Sequence, residues 1–201
     1  MAALRLAWLA AVGAVVVLAV AVGSAAPAET GTTPAEYRAL VSAARQTLAA
    51  RAIALVDGAN PSPQTPLAAG NVVRSAQFAA TEAAALRSLA ARRDRLRASG
   101  EVYLTAQTEV RVTGVARSGD RIRLTLAELT TLHRRVHGDE PGHTAFEAAR
   151  VFDFVLDGGR WTLTGEALVD GGGPAPLTEP DAVSDGSNLP LIPMGGVARV
   201  A

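Results

Sequence analysis

Three histidines, His133, His137 and His143, fall within eleven residues, and Asp139 and Glu140 lie among them in HRRVHGDEPGH. Histidine beside carboxylate is the donor set of a hydrolytic metal centre, so zinc chemistry is the first hypothesis to weigh. Four-residue spacing aligns His133 and His137 on a helix. On a strand, as the surrounding pattern requires, the two share a face but stand about 13 Å apart. That separation is too wide for one ion, so a polar strand end followed by a charged loop is expected, with no metal and no cofactor. The serines occupy no nucleophile-elbow motif, and the chain has no cysteine, which removes thiolate ligands, a cysteine nucleophile and disulfides.

A second candidate set lies on the preceding strand. Tyr103, with Gln107, Glu109 and Arg111, alternates with apolar residues and would line one wall of a concave pocket; a solvated sheet face explains the same alternation. Tyr103, Glu109, Arg111, His133 and His137 are thus the candidate ligand-binding residues. Nineteen basic residues, all arginine, balance nineteen acidic ones, so the chain is not a basic nucleic-acid binder. Arg87, Arg92, Arg93, Arg95 and Arg97 read as the exposed face of a helix.

The elements that must position these residues follow from periodicity. Leu6 to Val22 is an uninterrupted apolar run behind Arg5, and Ala26 and Ala28 form an A-x-A pattern before Glu29. Residues 1–28 are therefore expected to be an export signal or a retained membrane anchor. Thr33-Pro34-Ala35-Glu36 is a capping box, and Tyr37, Leu40, Val41, Ala44, Leu48, Ala52 and Leu55 follow at helical spacing. Three prolines between 58 and 70 end that helix. A second helix is expected from Val72 to Ala98, capped by Asn71, with Val73, Ala76, Ala80, Ala83, Leu86 and Ala90 inward.

From residue 101 the period becomes two. Val102, Leu104, Ala106, Thr108, Val110 and Val112 form one face of a first strand, and Ile122, Leu124 and Leu126 one face of a second. Alternation slips at Glu128 and Leu129, which predicts a bulge there. Phe146, Ala148, Phe152 and Phe154 mark a third strand, interrupted by Arg150, and Trp161 to Leu168 a fourth. Short connections pair such strands antiparallel, and two helices cover one face. The expectation is an α+β domain over 33–170, two helices on a curved four-stranded antiparallel sheet of cystatin-like or nuclear-transport-factor-2-like type. Residues 171–201, with six glycines and five prolines, read as a linker or tail.

The stretches THRRVHGDEPGHTAFEAARVFDF, DGGRWTLTGE and PLTEP resemble the N-terminal accessory module of secreted actinobacterial proteins that carry an amidase domain farther on. The resemblance implies an extracytoplasmic module and supplies no catalytic residue, since the cysteine chemistry of the amidase domain has no counterpart here. Three functions follow as expectations: a noncatalytic exported or tethered domain that contacts a protein or cell-envelope component, a small ligand carrier or enzyme built on the concave sheet face, or a shortened relative of an amidase-domain protein.

Overall fold

The computed structural model describes residues 31–61, 67, 71–135, 141–169 and 175–180. The expected export signal or anchor, 1–28, lies outside the described residues. So does His137. Among the described residues no helix is long and apolar enough to cross a membrane.

The first helix, α1 (Pro34–Ala54), begins at the capping box: Thr33 accepts from the Glu36 N–H, and the Glu36 carboxylate accepts from the Thr33 N–H at 2.8 Å. These bonds hold the Glu36 carboxyl below the usual carboxylate range. Its contribution to stability is therefore complete above the unfolded-chain pKa and is lost as pH falls through the lowered folded-state value.

Between α1 and the second helix runs a short strand, β1 (Val72–Arg74), where the sequence had suggested helix. Val72 and Val73 are β-branched and suit a pleated surface, and Val72 is buried there. Ser75 then caps α2 (Ala76–Ala98), its side chain accepting from the Phe78 N–H, so the helix starts four residues later than predicted. The later start also changes which side faces inward. Phe78, Glu82, Ala85, Leu86 and Leu89 are buried, in place of the all-apolar line expected from Val73.

Four long strands follow: β2 (Val102–Ser118), β3 (Arg121–Arg135), β4 (Pro141–Asp157) and β5 (Arg160–Leu168). They pair antiparallel in succession, and β1 joins β5 in parallel, giving the order β1-β5-β4-β3-β2. The expectation of a four-stranded antiparallel sheet is overturned: the sheet is mixed, five-stranded and curled. Between β1 and β5 the chain runs through α2 and the three strands β2–β4, a connection long enough to allow the parallel direction.

The irregularities also sit elsewhere than predicted. Pairing of β3 with β4 runs without a shift from Arg121 to Arg135, so no bulge occurs at Glu128. Ile122, Leu124, Leu126, Glu128, Thr130 and Leu132 all point inward. The register shifts fall on β2, between Tyr103 and Thr105 and between Val112 and Gly114, and on the β4–β5 pair at Asp153/Phe154. The first β2 shift exchanges faces at that end of the strand: Tyr103 is buried and Leu104 is 41% exposed, the reverse of the predicted alternation.

The core has two apolar clusters. One gathers Leu40 and Leu48 of α1, Phe78 of α2, and Leu124, Leu126, Phe152, Phe154, Trp161 and Leu163 of the sheet. The other gathers Leu55, Leu86, Leu89, Tyr103, Ala106 and Leu132. Replacing Ser75 with Ala should cost about 1 kcal/mol in urea unfolding by removing a helix cap. Replacing Asn71 with Ala should change stability by less than about 0.5 kcal/mol, since it caps no helix.

Candidate functional site

Each main element passes from one apolar cluster to the other through a polar residue. On α1, Leu48 is followed by Arg51 and then, at the helix C-cap, Leu55; on α2, Phe78 by Glu82 and then Leu86. On β3, Leu126 gives way to Glu128 and Thr130 before Leu132; on β4, Arg150 precedes Phe152; on β2, Thr108 separates Ala106 from Val112. Register brings these residues into one layer. Arg150 stands opposite Leu126, and Glu128 opposite Ala148, so Arg150 and Glu128 are diagonal neighbours on the inner face. Phe152 pairs with Glu166 of β5, which places a second carboxylate diagonally on the other side.

The contacts form a continuous chain. Thr108 and Thr130 share a hydroxyl hydrogen bond of 3.1 Å, and Thr130 donates to Glu128 at 2.8 Å. Arg150 Nε donates to Glu128 Oε2 and its Nη1 to Glu166 Oε1, each at 2.5 Å. The other Glu166 oxygen takes Arg51 Nη2 at 3.0 Å, and the same nitrogen reaches Glu82 Oε2 at 2.7 Å. Side chains of Arg150 and Glu128 are 0% exposed, those of Arg51 and Glu82 4% and 2%. Burial opposes the charge on each guanidinium, yet Glu166 and Glu82 at Arg51, and Glu128 and Glu166 at Arg150, outweigh it and raise both above the ordinary arginine value.

Residues 175–180 form a strap across one side of this layer. Glu179 Oε2 accepts from Arg150 Nη1 at 2.9 Å. Arg92 Nη1 donates to the Leu177 carbonyl and, at 2.8 Å, to the Glu179 carbonyl. The Glu179 N–H closes the turn on the Pro176 carbonyl, and Leu177 packs on the second apolar cluster. Arg92 is thus more than a solvated charge on a helix face. Its neighbours Arg93 and Arg97 likewise bind the Ala59 carbonyl and Asp57.

The residues singled out in the sequence do not converge. Tyr103 is turned into the core, its hydroxyl donating to Glu101 at 2.9 Å, and burial pushes that hydroxyl above its ordinary pKa. Glu109 is half-buried and accepts from Gln107, whereas Arg111 is exposed. His133 is exposed on β3 and stands opposite His143, their ring centroids 6.3 Å apart. No group of three metal-binding side chains lies together among the described residues. Trp161 is buried, and Arg117 lies 5.8 Å above its ring.

A shallow groove of about 430 Å³ is separate from the layer, lined among others by Arg117, Arg121, Arg123, Asp153 and Thr164. Two of its cations are engaged locally: Arg123 pairs with Asp153 at 2.8 Å and Arg117 donates to the Gly31 carbonyl at 2.7 Å.

Sequence reasoning passed over Arg51, Glu82, Glu128, Arg150, Glu166 and Glu179. The available signal was a charge standing in phase with the apolar residues, such as Phe78, Glu82, Leu86 on a helix or Leu126, Glu128, Thr130 on a strand.

No protein-family model matches the chain, and no curated protein matches it. Among solved structures the chain is similar to the crystal structure of the intermembrane space region of the chloroplast protein ARC6, at 15% identity and a TM-score of 0.30, over 48% of this chain and 72% of that one. At that score the likeness transfers neither fold nor function.

Replacing Arg150 with Met should cost about 3–5 kcal/mol in urea unfolding, because buried carboxylates lose their cation. Arg150→Met combined with Glu128→Leu should be less destabilised than Arg150→Met alone. A double variant as unstable as the sum of the singles would mean that the two side chains act independently.

Proposed function

We propose that the chain is a noncatalytic, extracytoplasmic domain that contacts a protein of the cell envelope. The observation that supports this is the uncovered side of the sheet. Both helices pack on the inner face, where the buried acids and bases neutralise one another and two apolar clusters fill the remaining space. The outer face carries Thr125, Ala127, Leu129, Ala145, Ala149 and Val151, small or apolar residues with no element over them among the described residues. Leu129 is 38% exposed and Val169 42%. Glu109 and Glu147 flank Leu129 in register and Arg111 lies beside Ala127, so this face offers apolar and charged side chains together, as the mixed surface of a protein contact does.

The apolar run 6–22 and the A-x-A pattern before Glu29 support export of everything that follows, and retention of that run would tether the domain to the membrane. The resemblance to accessory modules of secreted amidase-domain proteins points to the same side of the membrane. A role in positioning or stabilising an envelope protein fits a domain whose buried charges are used in its own construction.

Fractionation with intact-mass measurement, combined with a photo-crosslinking residue at position 129 and a control at Arg87 on the exposed side of α2, tests this reading. The expected result is extracytoplasmic protein, either starting at Glu29 or retaining its N-terminal segment, with a discrete adduct from position 129 and none from 87. Recovery of full-length protein in the cytosol alone, or equal labelling from both positions, would overturn it.

A further inference from the structure

The strap is itself a bound peptide, and the way it is held describes what its seat recognises. Four features are read. Two carbonyls, of residues 177 and 179, converge on one Arg92 nitrogen, and a tight turn is closed by the Glu179 N–H. An apolar side chain, Leu177, enters the cluster containing Leu55, Leu86 and Leu89. A carboxylate, that of Glu179, lies on Arg150. Arg51 and Arg150 bind the carboxylates of Glu82, Glu128 and Glu166, and Arg92, which holds the strap's carbonyls, supplies the third positive charge that balances those three acids when Glu179 is left out of the sum. The seat is then neutral and takes one added carboxylate at an arginine already oriented for it.

The chain's own occupant satisfies this seat incompletely. Thr178 is 1% exposed, and its hydroxyl has no hydrogen-bond partner. Arg150 Nη2, on the arginine that Glu179 binds, is also buried without a partner. A buried hydroxyl stripped of water and left unbonded weakens the complex that holds it, whereas valine, of the same shape, carries no such penalty. Glu179 is the rim member of the network, its side chain 29% exposed where those of the other carboxylates are at most 7%. In the sequence five residues, 170–174, separate Val169 from the strap, so the strap and its seat belong to one chain at high effective concentration.

We propose that the seat of residues 176–179 is a peptide-binding site for an acidic turn of a partner protein, apolar at the positions of Leu177 and Thr178 and glutamate at that of Glu179. The strap of this chain fills the site in cis as an imperfect competitor. The inference rests on the reading of the chain as a contact domain and names the chemistry of the partner segment. A partner carrying Leu-Val-Glu in such a turn displaces the strap. A partner with glutamine in place of the glutamate does not, because the charged bond to Arg150 is then lost.

The test uses the full chain and fluorescently labelled, capped peptides with the sequence of residues 175–180, APLTEP, together with APLVEP and APLTQP. In the variant Leu177→Ala/Glu179→Ala the cis competitor is weakened. Folding is checked by circular dichroism and thermal melting, and Glu179→Gln serves if the double variant does not fold. APLTEP should bind the loosened variant roughly tenfold or more tightly than the unaltered chain, since a tethered competitor acts at millimolar effective concentration. APLVEP should bind several-fold better than APLTEP, and APLTQP or an added Arg92→Met should abolish binding. A folded loosened variant that binds no better than the unaltered chain, or that binds APLTQP as well as APLTEP, overturns the proposal. Failure of both loosened variants to fold also overturns it, making the strap a structural stave. None of these outcomes bears on crosslinking from position 129, so the two readings fail separately.

Discussion

The rest of the structure depends on one constraint: a layer of charge crosses the core and must be neutralised within it. Arg51 and Arg150 are taken out of water together with Glu82, Glu128 and Glu166, and an uncompensated charge at that depth would cost several kcal/mol. Six elements must therefore meet at one level. Helices α1 and α2 bring Arg51 and Glu82 together, β3 and β4 must pair so that Glu128 and Arg150 lie diagonally, and β5 must offer Glu166 to both arginines. Thr108 extends the requirement to β2. A slip of one residue in any strand would point its charge to the outer face and leave its partners bare. The layer is thus a register device, and the two apolar clusters on either side supply the burial that offsets chain entropy.

This division of labour suits a chain rich in alanine. Alanine faces let α1 and α2 approach the sheet closely, but each buries little area and neighbouring alanines are nearly interchangeable in packing. An all-alanine seam would let the helices slide along the sheet at small cost. Arg51 and Glu82, one pair 31 residues apart in sequence, pin the helices to each other, and Glu166 pins that pair to the sheet. Specificity comes here from ion pairs, although an apolar layer of equal volume would give comparable stability.

What the sequence disclosed and what it hid divide along the same line. Local signals were legible: the Thr33 capping box, the change to period two at residue 101 and the glycine turns between the long strands. The short strand β1 was not, because Val72 and Val73 fit a helical pattern as well as an extended one, and only pairing with β5 decides between them. Arg150 and Glu128 read as interruptions because hydrophobicity is only a proxy for the direction in which a strand residue points. The backbone alternation was intact at both; what broke was the assumption that inward means apolar. Tyr103 failed the opposite way, since a register shift set by pairing with β3 turned it inward and Leu104 outward, while Ala106, Thr108 and Val112 beyond the shift kept the predicted face. Candidates on a presumed concave wall, Tyr103 with Glu109 and Arg111, were thereby dispersed to different faces.

Arg150 links this interior to the surface. Its side chain is wholly buried, yet one of its nitrogens, Nη1, binds both Glu166 inside the layer and Glu179 on the strap. A carboxylate at position 179 therefore adds negative charge to a layer in which Arg51 and Arg150 already serve three acids, and Arg92 offsets that addition by binding the strap's carbonyls rather than its side chain. The strap is held by the least buried edge of the network, where water competes for the same bonds and the electrostatic gain is smallest. The deep pairs of Glu128, Glu166 and Glu82 with the two arginines are made through contacts that involve no atom of the strap. Construction and exchange thus use the same guanidinium at different depths, which allows an occupant to leave the edge of the layer without unmaking the fold beneath it.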